Sequence, residues 1–506
     1  MKYRYLTPAG ETLQEKVLHH YGLYERREEL LNDAYEPDLQ QEALLHFRKA
    51  LLSCQNEKIF IVGDYDCDGI TSTAILKSLL QKLNIPVNYY IPSRFRDGYG
   101  VNPRMVAQAA HFGFTTLLCL DNGVAAKEAL AEAKELGLKV LIMDHHEYQE
   151  APEVLGFLHP RLLKEGYRDC CTAGLAYLLY STFEEDEKLK AYAGIATLAD
   201  VVEVFGYNRY LIKEALRILS EGKVPAIDCL NGKKCSYQVN DLSFRVIPKI
   251  NALSRLEGKA NVNQMVNYLL ADEATCQATA PQIDSVNELR RTLSAQMYDH
   301  ASSQYPEGEI LLFADESYQE GLCGIIAGRL THDRRKACLV FAREDGILKG
   351  SGRSLPGGDL YQALYPYREH FLTFGGHELA VGLSLKEEEE AGFREYLASL
   401  EPMTINEEEE CILLDSRDLT QQNLESLEAL QPFGQGFREP LFALKDPEIT
   451  SHFLVKGKYP KFVLKGGAEA ISFHPEDARR YFTYLIGHPE KNNYRKGVTF
   501  RIEDMD

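Results

Sequence analysis

The sequence predicts an α/β fold: a parallel sheet flanked by helices, a long helical connector, a second α/β segment and a small C-terminal β domain. Three observations carry this expectation. Short apolar runs alternate with amphipathic stretches between about residues 58 and 145, the pattern of parallel strands joined by helices. A polar stretch with helical spacing occupies about residues 262–304. Strand-like pieces return with EILLF at residue 309 and dominate the last hundred residues, as at 461–464 and 498–502. At 506 residues the chain is too long for one core, and two to four domains are expected.

The elements follow in order. The first 57 residues mix charged and apolar positions at helical spacing and read as an N-terminal helical segment. Residues 58–62 (KIFIV) read as a buried strand, and 71–82 as the helix after it. Further strands are expected at 87–91 (VNYYI), 116–120 (TLLCL) and 139–143 (KVLIM), giving a parallel sheet with helices on both faces. Residues 172–220 read as mainly helical. Pro281 should kink or divide the helix of the connector, because proline cannot donate the backbone bond. The expected boundaries are 1–57, 58–220, 221–304, 305–400 and 405–506.

Composition narrows the setting. No run of about 18 uncharged apolar residues appears, and the N-terminus lacks the apolar stretch of a secretory signal, so a cytoplasmic protein with no membrane partner is expected. The eleven cysteines show no paired CxxC spacing and read as small core residues of a reducing compartment. The net charge is −19. Glutamate runs at 387–390 and 407–410 supply eight of those charges and read as a solvated linker around a domain boundary. The remaining balance does not exclude a nucleic-acid groove, because local basic clusters decide phosphate contact.

Three of the apolar strands end in aspartate. Val62 leads into DYDCDG (64–69), Leu120 into Asp121-Asn122-Gly123, and Met143 into Asp144-His145-His146. In open parallel sheets, ligand sites lie beyond the carboxyl ends of the strands. A single aspartate after a strand is usually a helix cap. A calcium loop is disfavoured, since position twelve from Asp64 is Ile75 rather than glutamate. Three acidic loops on one sheet edge point instead to bound cations, which remove the mutual repulsion of the carboxylates. Oxygen ligands with histidine and no thiolate suit Mn²⁺ or Mg²⁺, and two ions are the usual solution for in-line phosphodiester cleavage. Gly69 reads as the residue that lets the backbone turn after the acidic loop. No Ser-His-Asp arrangement or P-loop stands out.

DYDCDG, a strand ending in Asp121, then DHH resembles the ordered signature of the DHH phosphoesterases, and ATLADVV around Asp200 resembles their fourth motif. SRFRDGYG (93–100), KINALSRL (249–256), GLCGIIAGRL (321–330), GSGRS (350–354), FGGH (374–377) and LQPFGQGFREP (430–440) resemble, in order, segments of the RecJ family. The resemblance implies a DHH catalytic domain, a DHHA1 domain and an OB-like β-barrel. It implies metal ligands Asp66, Asp68, Asp121, His145 and Asp200, with Asp64 beside them as a further candidate. Asp144 would orient the ligands, and His146 would sit near the scissile phosphate. Ser351, Arg353 and His377 would hold the strand, and Arg94 and Arg255 its 5′ phosphate. Arg329 is a weaker candidate.

The implied activity is metal-dependent hydrolysis of single-stranded DNA from the 5′ end to mononucleotides, in repair and recombination. A single-strand-binding protein or a helicase is the candidate protein partner of a monomeric enzyme. The alternatives are a phosphodiesterase for short oligonucleotides or cyclic dinucleotides, and a metal-free scaffold that only binds nucleic acid. VKGKYPKFVLK (455–465) interleaves lysines with aromatics, which suits single strands. Two departures from the family pattern stand at Tyr318-Gln319 and Phe437-Arg438.

Overall fold

A computed structural model describes all residues except 1, 33, 233–235, 257, 404–407, 474–481, 493–496 and 506. The chain divides into two compact units, one formed by residues 37–200 and 211–406, the other by 1–36, 201–210 and 407–506.

The larger unit holds two five-stranded sheets. The first is wholly parallel, in the order Val87–Tyr90, Ile59–Val62, Thr116–Leu120, Lys139–Met143, Gly156–Leu158. Thr116–Leu120 is buried at every position, as a central strand covered on both faces must be. Because all strands run one way, the loops after Val62, Leu120 and Met143 leave from a single edge. The last strand, Gly156–Leu158, is too short to stand out in the sequence.

The helix after the acidic loop spans Cys67–Lys82, starting four residues earlier than its apolar pattern suggests. Its first turn therefore contains Asp68 and Gly69. Gly69 is helical rather than a turn residue, and its role is close approach. A Cβ there would lie 2.4 Å from the Asp64 backbone nitrogen. Gly69→Ala is expected to push the acidic loop off this helix and destabilise the larger unit by about 1–3 kcal/mol. Thermal unfolding checks it; an unchanged Tm would contradict the packing.

The connector contains Pro225–Asn231, Asn263–Leu270 and the thirty-residue helix Glu273–Ser302. Pro281 lies inside the last of these without dividing it, contrary to expectation. The proline removes one ladder bond, but the helix packs against Pro225–Asn231 and Cys323–Arg334, and that packing keeps it continuous.

The second sheet runs Thr373–His377, Ala380–Lys386, Ile347–Arg353, Ala337–Glu344, Ile310–Asp315, and only its last pair is parallel. Alternate residues of Ile310–Asp315 face opposite layers. Leu311 and Phe313 pack with Ile326 and Leu330 of the helix Cys323–Arg334, and Ile310 and Leu312 pack with Leu360, Leu364 and Phe393. The first glutamate run is not a linker. It forms a 3₁₀ turn entering the helix Glu390–Ala398, where Arg343 pairs with Glu387 and, at 2.7 Å, with Glu390.

The smaller unit is built on a mixed eight-stranded sheet that begins Lys2–Leu6, Glu408–Leu414, Phe442–Lys445 and ends on Ile449–Val455. This corrects two expectations. The N-terminus opens with a strand, which pairs in parallel with Glu408–Leu414 so that Lys2 faces Glu408 and Leu6 faces Ile412. Of the second glutamate run, 408–410 belong to that strand, and Arg4 pairs with Glu410 at 3.3 Å; Glu407 lies outside the described residues. The edge strand KYRYL does alternate, but its five residues are too few to stand out from the helical spacing that follows.

Arg209 ties this unit together, only 4% exposed. It donates to the carbonyls of Leu30, Leu430, Gln431 and Pro432 at 2.8–3.0 Å. Arg209→Met would strand three buried acceptors and one part-buried one, and the smaller unit is expected to lose about 3 kcal/mol or more. Faster cleavage within residues 407–506 in limited proteolysis would show it, and wild-type protection would contradict it. Phe437, one of the departures, is fully buried, with its ring 5.0 Å from Phe433 and 5.4 Å from Tyr21.

Candidate metal centre and its arginine flank

Six of the implied ligands meet at the sheet edge. Three groups place ligand atoms within 4.8 Å of one another: Asp64, Asp66 and Asp121; Asp68, His145 and Asp200; and Asp121, His145 and His146. Asp121 and His145 are each shared between two groups. Two neighbouring cation positions therefore fit the arrangement, one mainly carboxylate and one with imidazole.

Backbone N–H groups hold Asp66 and Asp68, and side chains flank Asp121 and Asp200. Asp66 caps the helix Cys67–Lys82, and its Oδ1 accepts from the N–H groups of Asp68 and Gly69 at 2.9 and 3.2 Å. The cap thus holds in place a carboxylate that is also one of the candidate ligands. Asp68 accepts from Thr172 N–H at 2.8 Å and Ala173 N–H at 2.7 Å. Those donors open the helix Thr172–Ser181 and would otherwise lack partners. Asp121 sits at φ 62°, a left-handed conformation that aspartate tolerates better than most residues. Its Oδ1 lies 3.2 Å from Thr172 Oγ1 and 3.3 Å from His145 Nε2. Asp200 ends the helix Glu187–Ala199, with Oδ2 3.5 Å from His145 Nε2.

The centre is electrostatically loaded. Burial raises the carboxyl groups of Asp64, Asp66 and Asp121 above the usual range, and repulsion from neighbouring aspartates adds to it. Asp200 is pushed up to about 9 by burial and by the charges of Asp68 and Asp66. Buried oxygens Asp64 Oδ1 and Asp200 Oδ2 have no hydrogen-bond partner among the described residues. Unpartnered buried oxygens in a crowd of carboxylates are what a divalent cation would satisfy, so these residues fit such ions.

Asp144, fully buried, organises the third loop. Its Oδ1 accepts from the backbone N–H groups of His145 and His146 and bonds His146 Nδ1 at 2.8 Å, while its Oδ2 accepts from Val124 N–H at 3.1 Å. Burial alone would raise this carboxyl, but the His146 bond and the backbone donors hold it below its ordinary value. The Tyr99 hydroxyl lies beside the same imidazole, 3.1 Å from Nε2 and 3.2 Å from Nδ1. Tyr99 in turn donates to the Asp121 carbonyl at 2.9 Å.

A cationic flank adjoins the centre. The Arg94 guanidinium stacks 4.3 Å over the ring of Tyr65, inside the acidic loop. Arg255 donates to the Gly321 carbonyl at 3.3 Å. Burial pulls Arg255 down to about 10, and the positive charges of Arg94, Arg290 and Arg353 act with it. Arg353 is lowered by burial and by Arg94. Glycines make room: a Cβ on Gly324 would lie 3.1 Å from an Arg353 terminal nitrogen and 3.5 Å from Ser351 Oγ. Ala380 stands opposite both Arg353 and His377, so these side chains share one face of the second sheet, with His377 about 10 Å out along it. On the same sheet, Ser351 stands in one row with Gly382 and Gly375, where open space faces both glycines. Arg329 is placed otherwise, stacked 3.5 Å over Tyr298. In the smaller unit, Lys458 lies over Tyr459, while Lys461 and Lys465 pair with Glu469 and Glu448.

Sequence reasoning missed Thr172, Tyr99 and Asn122 as positioning residues. The Asn122 amide donates to the carbonyls of Val62, Gly63 and Leu120 at 2.8–3.1 Å and clamps two strand ends. It stands inside the quoted Asp-Asn-Gly, but Thr172 carries no local signal.

Comparison with known proteins places the chain in a family. Residues 58–200 match the DHH family, N-terminal domain, and residues 412–504 match the RecJ OB domain. The chain is 32% identical to the single-stranded-DNA-specific exonuclease RecJ of Dickeya dadantii over 79% of this chain and 77% of that one. It is 31% identical to the Bacillus subtilis RecJ over 79% of this chain, but spans about half of that relative's length (53%). The crystal structure of Thermus thermophilus RecJ in complex with Mn²⁺ superposes with a TM-score of 0.84 at 25% identity, covering 100% of this chain and 79% of that one.

Proposed function

The chain belongs to the RecJ family of single-stranded-DNA-specific exonucleases, and we propose that it hydrolyses single-stranded DNA from the 5′ end to mononucleotides, with two Mn²⁺ or Mg²⁺ ions, in repair and recombination. One observation carries the reading: six ligand-bearing side chains from separate loops converge beside a cluster of arginines with no phosphate-repelling carboxylate paired to Arg94 or Arg255 among the described residues.

Asp64, Asp66 and Asp121 would hold one ion, and Asp68, His145 and Asp200, with Asp121 at the boundary, the other. Ions so placed supply Lewis acidity on both sides of an in-line displacement at phosphorus. The protein's own groups do the rest. Asp144 fixes His146 so that its Nε2–H can donate to a phosphate oxygen. Arg94, Arg255 and Arg353, with the Ser351 hydroxyl, would grip the terminal 5′ phosphate, and His377 would contact the strand further along the sheet. Anchoring the 5′ phosphate at a fixed distance from the ions gives both polarity and mononucleotide products.

No described helix is long and apolar enough to cross a membrane. Ten free cysteines among the described residues, nine of them buried, support the reading of a cytoplasmic protein. We read the enzyme as a monomer to which a single-strand-binding protein or a helicase presents DNA.

The experiment is hydrolysis of 5′- and 3′-end-labelled single strands in Mn²⁺. Label is expected to leave the 5′ end first as mononucleotide. Release from the 3′ end first, or equal rates with and without chelator, would contradict the reading.

A further inference from the structure

A cavity of about 360 Å³ has Arg94 in its lining and lies between residues 90–96 on one side and Leu253, Ser254, Leu256, Gly258 and residues 260–263 on the other. Its polar lining includes Ser93, Arg94, Arg96, Ser254, Asn261 and Asn263. No carboxylate is among its described lining residues, and Glu257, between the lining residues Leu256 and Gly258, lies outside the described residues. Arg96 is exposed and makes no ion pair among them, and the buried Nε of Arg94 has no hydrogen-bond partner. The walls are fixed: Asn263 accepts from Ile91 N–H at 2.8 Å and donates to its carbonyl at 3.1 Å, and Ser93 N–H donates to Asp97 at 2.9 Å. Asp97 is itself taken up by Tyr90, 2.6 Å from its hydroxyl. The volume falls in the range of ligand sites, and the lining suits an anion.

Position decides which anion. Arg94 touches both the acidic loop, through Tyr65, and this cavity. If Arg94 grips a terminal 5′ phosphate, the cavity begins where that phosphate ends. We propose that it receives the β- and γ-phosphates of a 5′-triphosphorylated strand, so that the substrates of this enzyme include DNA strands whose 5′ nucleotide keeps its triphosphate. This rests on the exonuclease reading above. In the first turnover water adds to the phosphorus of the first internucleotide linkage and the P–O3′ bond breaks. The 3′ oxygen takes a proton, the terminal residue leaves as a nucleoside triphosphate, and the new end carries a 5′ monophosphate. Phosphoanhydride bonds are untouched.

The test compares one sequence bearing a 5′-monophosphate or a 5′-triphosphate, with products separated by anion exchange. The wild-type enzyme is expected to release nucleoside triphosphate from the second strand at a rate within about tenfold of the first. Arg96→Ala, and separately Ala260→Phe to fill the space, should raise KM for the triphosphorylated strand about tenfold and leave the monophosphorylated strand unchanged. Degradation of the monophosphorylated strand alone, or release of pyrophosphate before any nucleotide, would overturn the inference and spare the exonuclease reading. Equal loss on both strands in both variants would also overturn it. Degradation of neither strand by the wild-type enzyme would sink both.

Discussion

Asp121→Asn is expected to lower kcat by about a thousandfold or more, the loss of several kcal/mol of charge stabilisation, while the protein stays folded. Asp121 is the carboxylate common to two of the three ligand groups, so its loss weakens both cation positions at once. Asparagine keeps the shape, accepts from Thr172 Oγ1 as aspartate does, and tolerates the left-handed backbone at φ 62°. It also removes one negative charge from a buried cluster in which Asp68, Asp66, Asp64 and Asp200 all repel it. In chelator the variant's Tm should therefore equal or exceed that of the wild type. Added Mn²⁺ should raise the wild-type Tm clearly and the variant's little, since a ligand stabilises only the state that binds it. Activity and metal-free stability move in opposite directions, a split that simple misfolding would not give. A variant with lower Tm in chelator and an unaltered response to Mn²⁺ would contradict this role.

His146→Ala is expected to lower kcat by about a hundred- to a thousandfold, as for loss of a positioned proton donor, with the binding of both ions intact. The imidazole is near enough to Asp121 to be counted as a ligand, at 3.9 Å from Nδ1 to Oδ1. The same nitrogen, however, bonds Asp144 at 2.8 Å. The structure thus favours a group that faces substrate over one that faces a cation. Isothermal titration with Mn²⁺ separates the two: unchanged stoichiometry with low kcat supports the donor role, and loss of one ion makes His146 a ligand.

Most of the parallel sheet was legible because three of its strands, Ile59–Val62, Thr116–Leu120 and Lys139–Met143, are short apolar runs closed by an aspartate or by Gly63-Asp64. Thr116–Leu120 and Lys139–Met143 have the ends that the apolar pattern marks. Loops with chemistry at their first residues were legible for the same reason. What stayed hidden depends on pairing across distance. The N-terminal strand Lys2–Leu6 carries lysine, arginine and tyrosine, and only its partner, four hundred residues on, makes it a strand. Thr172 matters because the helix it opens points its N–H groups at Asp68, which nothing near residue 172 announces. Pro281 misled because local propensity was weighed without the helices that pack on either side. Gly69 was singled out correctly but for the wrong reason: the constraint is contact with Asp64, not backbone turning.

The central claim is that carboxylates and imidazole from separate loops trap two cations side by side. Anomalous diffraction at the manganese edge, from crystals grown with Mn²⁺, tests it most directly. The account predicts two peaks about 3.5–4 Å apart, one among Asp64, Asp66 and Asp121 and one among Asp68, His145 and Asp200. Peaks elsewhere on the chain, with these six side chains unliganded, would contradict it.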